Sequence, residues 1–381
     1  MDTFLSQKQR LVRLSVRTFC DREVNPISGR IDQEARFPWE VVEKMGKLGY
    51  FGIQVPPSLN GAGLDSLSYA VIIEEISRAS ASLGLCVSVH NSVVLHPLMT
   101  FGSESQQKRW VPSLALGEKI GAFCLTEPNA GSDAASMESM AGLDGNQYVL
   151  NANKVFVTNG GVADICLIFT RIESSADKKK MGVIVAERGT PGFVVGDLED
   201  LCGMRANPVS SIRLYDCRVP VGNLIGREGD GLKIGLKALD IGRMGIAAQS
   251  VGIAQGALDA SIRYSSERKQ FKVPLHQHQA VQMMLADMAT LVDGSRLMTY
   301  RAAGLRDDGR PFSQASAMAK LFASEAACRV TDSAVQIHGG YGYSKSYAVE
   351  RYYRDARVTR IYEGTSEVHR MVIARTLLGK G

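Results

Sequence analysis

The sequence predicts a mainly α-helical protein with a central antiparallel β domain, and three observations carry that expectation. Apolar residues recur at helical spacing through the first third, give way to short strand-like runs, and return to helical spacing after Gly229. Turn signals separate several of the strand-like runs. A length of 381 residues is too great for one compact core, so two or three packed units are expected. The chain divides into an N-terminal helical domain (1–118), a middle β domain read as a small barrel (119–228) and a C-terminal helical bundle (229–381).

In the first region Phe4, Leu11, Leu14, Val16 and Phe19 form one helical stripe, and Val41, Val42, Met45 and Leu48 form another that Gly49 stops. Residues 66–80 add Ala70, Ile72, Ile73 and Ile76, while Val55-Pro-Pro and Asn60-Gly-Ala-Gly are loop chemistry. In the middle region, residues 121–126, 148–151, 154–158, 165–169, 181–185 and 212–215 read as strands, with Asp144-Gly-Asn as a turn. In the last, Leu236, Leu239, Ile246, Ile253 and Leu258 lie near one face. Val281, Met284, Met288, Leu291 and Val292 make a second stripe, and Met318, Leu321, Phe322 and Ala326 a third. Asp307-Asp-Gly-Arg-Pro breaks two long helices, with Ser313 as the next N-cap. Three or four long helices with short links make an antiparallel bundle. Gly242, Gly245, Gly252 and Gly256 stand inside the first of them, each at a cost of about 1 kcal/mol against Ala. So many glycines predict close approach of another helix or of a ligand.

A hydrophobic content of 45% with 22% charge is ordinary for a soluble globular protein. Lys and Arg exceed Asp and Glu by 44 to 39, which suits anionic ligands. The charges are scattered, and the one run, Lys178 to Lys180, lies in a polar stretch that reads as a solvated loop, so nucleic acid is not an expected partner. The cysteines (20, 86, 124, 166, 202, 217, 328) are odd in number and contain no CxxC pair, which argues against a disulfide framework or a zinc site. No apolar run reads as membrane-spanning, and residues 1–10 carry no signal or transit pattern. The expected location is the cytoplasm, or the mitochondrial matrix for a trimmed organellar protein. His90, His96, His276, His278, His338 and His369 show no metal-ligand spacing or triad partner and are read as structural, with no metal expected. Gly229-Asp-Gly begins a near miss to GxGxxG but lacks the third glycine, which argues against a nicotinamide site.

Five strings carry candidate chemistry. Cys124-Leu-Thr-Glu-Pro-Asn-Ala-Gly-Ser-Asp133 ends a strand in small residues that expose backbone N–H groups and a hydroxyl; it is a ligand loop or a plain turn. Lys154-Val-Phe-Val-Thr-Asn-Gly160 ends a strand with an aromatic and a hydroxyl, and is otherwise a hairpin edge. Arg268-Lys-Gln-Phe271, followed by Gln279, is a phosphate clamp or a solvated helix end. Gln336-Ile-His-Gly-Gly340 is a helix C-cap, or a backbone open to a dinucleotide. In Arg360-Ile-Tyr-Glu-Gly-Thr-Ser-Glu367, Thr365 or Ser366 is the N-cap of a final helix and Glu363 stands just outside it; a lone loop Glu is otherwise a surface carboxylate.

Together, and in this order, the strings resemble the acyl-CoA dehydrogenase family over essentially the whole chain. The Glu74-Glu-Ile-Ser-Arg and Val87-Ser-Val-His-Asn-Ser strings look most like its short-chain (butyryl-CoA) branch. The resemblance implies an N-terminal helical domain, a small β-barrel and a C-terminal four-helix bundle. It implies FAD as cofactor, an acyl-CoA substrate, an electron-transferring flavoprotein as partner, and a homotetramer. It places Leu125, Thr126 and Ser132 along the flavin, Ser132 also at the CoA thioester ligand, with Phe156, Val157 and Thr158 flanking the isoalloxazine. Many relatives carry Trp where this chain has Phe156. Arg268, Gln270, Phe271, Gln279, Gln336, Gly339 and Gly340 would grip the FAD of a neighbouring subunit. Thr365 and Glu367 would contact flavin, although relatives often carry Gln at the latter position. Asp240, Arg243 and Gly364 would face the substrate.

The same resemblance makes Glu363 the base that removes the α-proton while hydride leaves Cβ for flavin N5, giving the trans-2-enoyl-CoA. The Glu363 backbone N–H would serve the developing enolate oxygen. Some branches carry the base on the helix just before the Arg243 position; here that position is Gly242, which cannot serve. Burial would raise the pKa of Glu363 and the nearby helix N-terminus would lower it, with burial expected to prevail. Other readings are an acyl-CoA oxidase or an enoyl-CoA reductase on the same fold, and a non-catalytic relative that binds nucleic acid.

Overall fold

In the computed structural model, which describes residues 5–173 and 180–379, a 37-residue helix runs through the middle of the molecule and the other regions pack around it. Phe4 of the first predicted stripe, and Lys178 and Lys179 of the basic run, lie outside the described residues.

Among the described residues, seven α-helices form the N-terminal region: α1 (Gln7–Phe19), α2 (Asn25–Gln33), α3 (Trp39–Lys47), α4 (Ser66–Ala79), α5 (Ala81–Val89), α6 (His96–Phe101) and α7 (Glu104–Ala115). Reciprocal capping boxes start α1 at Ser6 with Gln9 and α7 at Ser103 with Gln106. The predicted stripe of α1 is only partly buried: Leu11 and Leu14 are exposed, whereas Gln9 and Val16 face inward. Gln9 earns its inward place through polar contacts, since its side chain receives the Ser6 N–H at 2.9 Å and donates to Asp65 Oδ2 at 3.0 Å. Leu48 and, later in the chain, Leu236 and Phe322 are likewise exposed despite sharing predicted apolar faces.

The sequence hid one long apolar helix. Ala81–Phe101, running through α5, the π-helical His90–Leu95 and α6, is long and apolar enough by composition to cross a membrane. Most of it is buried inside the fold, as expected of a core helix. Polar residues interrupt the apolar run and bond locally. Asn91 donates to Tyr50 O and Val87 O, and His90 Nε2 lies 3.0 Å from Leu114 O. The Gly121 N–H donates to His90 Nδ1 at 3.1 Å, so Nε2 carries the proton and the ring is neutral. Burial pushes its pKa down to about 4. His90 therefore joins α7 to the first strand, a structural role.

The sheet contains β1 (Gly121–Cys124), β2 (Met140–Asp144), β3 (Gln147–Val157), β4 (Ile165–Glu173), β5 (Met181–Glu187), β6 (Phe193–Leu198), β7 (Ser210–Pro220) and β8 (Leu224–Ile225). Its path is β6-β7-β3-β2-β4-β5-β8. Most ladders are antiparallel as expected, but β1 and β2 both pair parallel with β4, at Ile165–Ile168 and at Arg171–Glu173 respectively. The segment between β1 and β2 spans the gap, and it contains the first chemical string.

The long helix is α8 (Gly231–Glu267). A hairpin of β9 (Lys269–Gln270) and β10 (Val273–Pro274) follows, then α9 (Gln279–Asp307), α10 (Ser313–His338), α11 (Ala348–Val358) and α12 (Ser366–Leu377). Close helix packing accounts for Gly252, where a Cβ would lie 2.2 Å from Glu74 O of α4. Arg296 Nε and the Tyr300 hydroxyl of α9 donate to Glu74 at 2.8 Å each, tying the bundle to the N-terminal region. Ser313 is the first residue of α10 rather than its N-cap, and its hydroxyl donates to Asp240 of α8 instead.

Candidate active site

Glu363 and Gly364 follow one another in the left-handed region, with φ of 52° and 97°. A left-handed Glu is strained, because its Cβ crowds the carbonyl. The turn is held from both sides: the Ser366 N–H donates to Arg360 O at 3.0 Å, and the Thr365 hydroxyl caps α12 by accepting from the Val368 N–H at 3.3 Å. Just before the turn, the Tyr362 hydroxyl donates to Gln249 Oε1 of α8 at 2.5 Å.

The turn drives the Glu363 side chain onto α8. Both carboxylate oxygens are buried, and neither has a hydrogen-bond partner among the described residues. A Cβ on Gly242 would stand 1.8 Å from Oε2, so the carboxylate occupies the space a side chain there would need. Gly242 thus answers the question its sequence position raised: the close approach is of a side chain, while Gly252 accommodates a helix. Burial pushes the Glu363 pKa up to about 7, against the pull of the Lys320 and Arg243 cations. Arg243 is itself buried and donates to Asp240 Oδ1 at 2.8 Å. Lys320 of α10, which was not singled out in the sequence, is buried and donates to Gly364 O at 2.6 Å. His369 lies against Gly364 with both ring nitrogens buried, and burial, reinforced by the two cations, pushes it down to about 3.

The first two strings are brought together at the C-terminal end of β3. The Val155 N–H donates to Thr126 O at 3.0 Å. Lys154, fully buried, donates to Leu125 O at 3.1 Å and to Glu127 Oε1 at 2.6 Å. Leu125 and Thr126 therefore lie beside residues 156–158. The β3–β7 register shifts between Lys154 and Val157, and this bulge turns Phe156 outward, 61% exposed with φ of 54°. Val157 is buried, Thr158 half-buried and Ser132 exposed. Asn159 closes the segment in a buried pair, accepting from Asn207 Nδ2 at 2.8 Å. The Glu127–Lys154 and Asn159–Asn207 pairs escaped sequence reasoning. Lys154 at an inward strand position was the available signal for the first.

The third and fourth strings meet at the far end of α8. Arg268, Gln270, Phe271 and Gln279 are exposed, as are Gln336, Gly339 and Gly340. The Arg268 guanidinium lies 5.6 Å over the Tyr341 ring, and Tyr264 stacks on His338 at 4.1 Å, which gives His338 its structural role. Phe271 and Lys272 form the left-handed tip of the β9–β10 hairpin, with Phe271 91% exposed. Gly339, with φ of 59°, ends α10. Glu367 is exposed in the first turn of α12. From Gly242 to Arg268 is 26 residues of one helix and its cap, or about 39 Å at the helical rise.

Comparison with known proteins matches three domain models in order: acyl-CoA dehydrogenase N-terminal domain (residues 6–118), middle domain (122–217) and C-terminal domain (229–378). The mitochondrial short-chain specific acyl-CoA dehydrogenase of Mus musculus is 45% identical over 98% of this chain and 91% of its own length. The short-chain specific acyl-CoA dehydrogenase of Clostridium acetobutylicum is also 45% identical, over 98% of this chain and 99% of its own. Among solved structures, the butyryl-CoA dehydrogenase of Megasphaera elsdenii superposes with a TM-score of 0.96 at 38% identity, covering 99% of this chain and 100% of that one. A chain from work on the electron transferring flavoprotein of Acidaminococcus fermentans gives 0.97 at 42%, over 99% and 100%. An acyl-CoA dehydrogenase complexed with FAD from Bacillus anthracis gives 0.93 at 32%, over 99% and 68%. With all three domain models matched across a fold that buries a donor-free carboxylate against α8, the chain belongs to the acyl-CoA dehydrogenase family, oxidoreductases whose cofactor is FAD.

Proposed function

We propose that this chain oxidises a short-chain acyl-CoA across Cα–Cβ to the trans-2-enoyl-CoA, with Glu363 taking the α-proton. The observation that carries the reading is a carboxylate with both oxygens buried, no donor to either, and a pKa raised to about 7 by burial. A thioester α-proton is weakly acidic, so its base must be a carboxylate poised near neutrality and not already satisfied by hydrogen bonds. The strained Glu363–Gly364 turn points the same way, since left-handed non-glycine residues gather where geometry serves function. Short-chain specificity rests on the named relatives from mouse and Clostridium.

The residues present fit FAD. Phe156 stands exposed on a bulge beside the Leu125–Thr126 backbone, an aromatic face and a polar edge open to a flat ligand. Those residues, with Ser132, Val157 and Thr158, would hold the flavin, and Thr365 and Glu367 would meet it from α12. FAD supplies the acceptor for the hydride that leaves Cβ. Arg243, steered by Asp240, and Gly364 would orient the thioester ligand, Arg243 Nε being buried without an acceptor. The cluster of Arg268, Gln270, Phe271, Gln279 and the Gln336, Gly339 and Gly340 cap lies about 39 Å along α8 from Gly242. That separation favours its holding the FAD of a neighbouring subunit in a homotetramer. An electron-transferring flavoprotein is the electron acceptor this reading carries, suggested by the Acidaminococcus work.

The test is Glu363→Gln. The variant should keep its yellow FAD and bind acyl-CoA, yet lose flavin bleaching by butyryl-CoA about 10²–10⁴-fold under anaerobic conditions. Undiminished bleaching would remove Glu363 from the reaction.

A further inference from the structure

We infer that Lys320 is a positioning residue for Glu363: it anchors the left-handed turn that aims the carboxylate and supplies the unpaired cation against which that carboxylate ionises. The inference rests on the reading of Glu363 as the base. Lys320 is fully buried in α10 and donates to the carbonyl of Gly364, the residue after Glu363, at 2.6 Å. A buried lysine is a costly way to hold one carbonyl, and buried cations are ordinarily paired with carboxylates. Lys154 follows that rule, with Glu127 at 2.6 Å. Lys320 has no carboxylate within 4.0 Å among the described residues. Five residues on, Glu325 of α10 accepts from the Ser366 hydroxyl at 2.8 Å and forms an ion pair with Arg360, whose Nε lies 2.9 Å away. One helix therefore pins both flanks of the turn as well as its centre.

The charges around the carboxylate make Lys320 the one that counts. Glu363 is faced by Tyr69 from α4, Arg243 from α8, Lys320 from α10, and Tyr362 of its own turn. Lys320 is faced by Glu363, Arg243, Glu325 and Glu367, with His369 of α12 beside the same turn. Of the two cations near Glu363, Arg243 is neutralised by Asp240 at 2.8 Å, whereas Lys320 has no such partner. Burial pushes Lys320 down to about 7 against the pull of the Glu363 carboxylate, which favours its charged form just as Lys320 favours that of Glu363.

The experiment is the pH dependence of anaerobic flavin bleaching by butyryl-CoA, with FAD-loaded enzyme. Lys320→Gln keeps an N–H donor for the Gly364 carbonyl but removes the charge. Its acidic limb should move up by about one pH unit, with a plateau at high pH close to that of the parent. Lys320→Met removes both, so the same limb shift should accompany a plateau about tenfold lower or less. Lys320→Arg keeps the charge and should return the limb toward the parent. A limb at the parental pH in both Lys320→Gln and Lys320→Met would reduce Lys320 to a prop and overturn the inference. Loss of FAD and of folding in both Lys320→Gln and Lys320→Arg would do the same. Glu363→Gln separates the two claims: if it bleaches normally the base reading fails, and if it is inert while the Lys320 limbs stay put only this inference fails.

Discussion

Glu127 and Glu363 are both carboxylates taken out of water, one between two strings of the sheet and the other against α8, and their surroundings push them in opposite directions. Burial raises both. At Glu127 it is outweighed by hydrogen bonds from Lys154, Ser139 and the Glu138 N–H, and the carboxyl is held below its usual range. At Glu363 no donor reaches either oxygen, and the group is pushed up to about 7. A buried carboxylate given donors becomes a fastener. The same group denied them becomes a base in waiting, at a cost in stability.

The contrast breaks most visibly at the fastener. Lys154→Met would leave Glu127 buried with backbone donors alone and should cost about 3–5 kcal/mol, read as a lowered denaturant midpoint with unchanged slope. Retention of FAD should fall with it, because Lys154 also ties Leu125 O to the segment bearing Phe156. Replacing both partners, Glu127→Leu with Lys154→Met, should recover most of the loss, since a well-packed apolar pair can match a buried ion pair. Equal losses in the single and double variants would show that Glu127 never depended on the lysine.

The base should show the opposite sign. A carboxyl whose pKa is raised by folding binds its proton more tightly in the folded state, so Glu363 lowers stability progressively as pH climbs from about 4.5 to about 7. Glu363→Gln removes that burden. It should match the parent below pH 4.5 and exceed it by at most about 3 kcal/mol above pH 7, a gain measured by melting at both ends of the range. For Glu127 the window is reversed: its contribution is present above the ordinary carboxylate range and disappears as acid reaches its lowered value.

How far this was legible in the sequence follows from the range over which each signal acts. Period and turn chemistry are local, so the helical, β and helical order was readable, and so was the unusual run of glycines in α8. Thr365 was recognisable as a possible cap because a cap and its acceptor lie within one turn. Contacts made only by packing were not readable. Lys154 meets Glu127 across 27 positions and Lys320 meets Gly364 across 44, and no spacing rule selects either pair. Leu11 and Leu14 failed for a related reason: a helical period says that a face exists, but Asp65, 56 positions from Gln9, decided which face turned inward. Phe156 needed a bulge, and bulges depend on the register of a partner strand in β7.

Gly242 joins the local and the distant signals, and it offers the smallest but most selective perturbation. A glycine inside a long helix is a stability defect, so Gly242→Ala should gain up to about 1 kcal/mol of helix propensity if nothing obstructs it. Here the added carbon would fall 1.8 Å from Glu363 Oε2, and one of the two must move. The strained turn is pinned by α10 and α12, so the side chain rather than the backbone should give way, carrying the carboxylate off its position. A displacement on the order of 1 Å in a reacting group reduces rate by about 10–10²-fold. The expected variant therefore melts near the parent temperature and keeps its flavin, yet bleaches about 10–10²-fold more slowly. A loss of stability with normal bleaching would mean that α8 moves instead, and that Gly242 is a packing glycine of the same kind as Gly252.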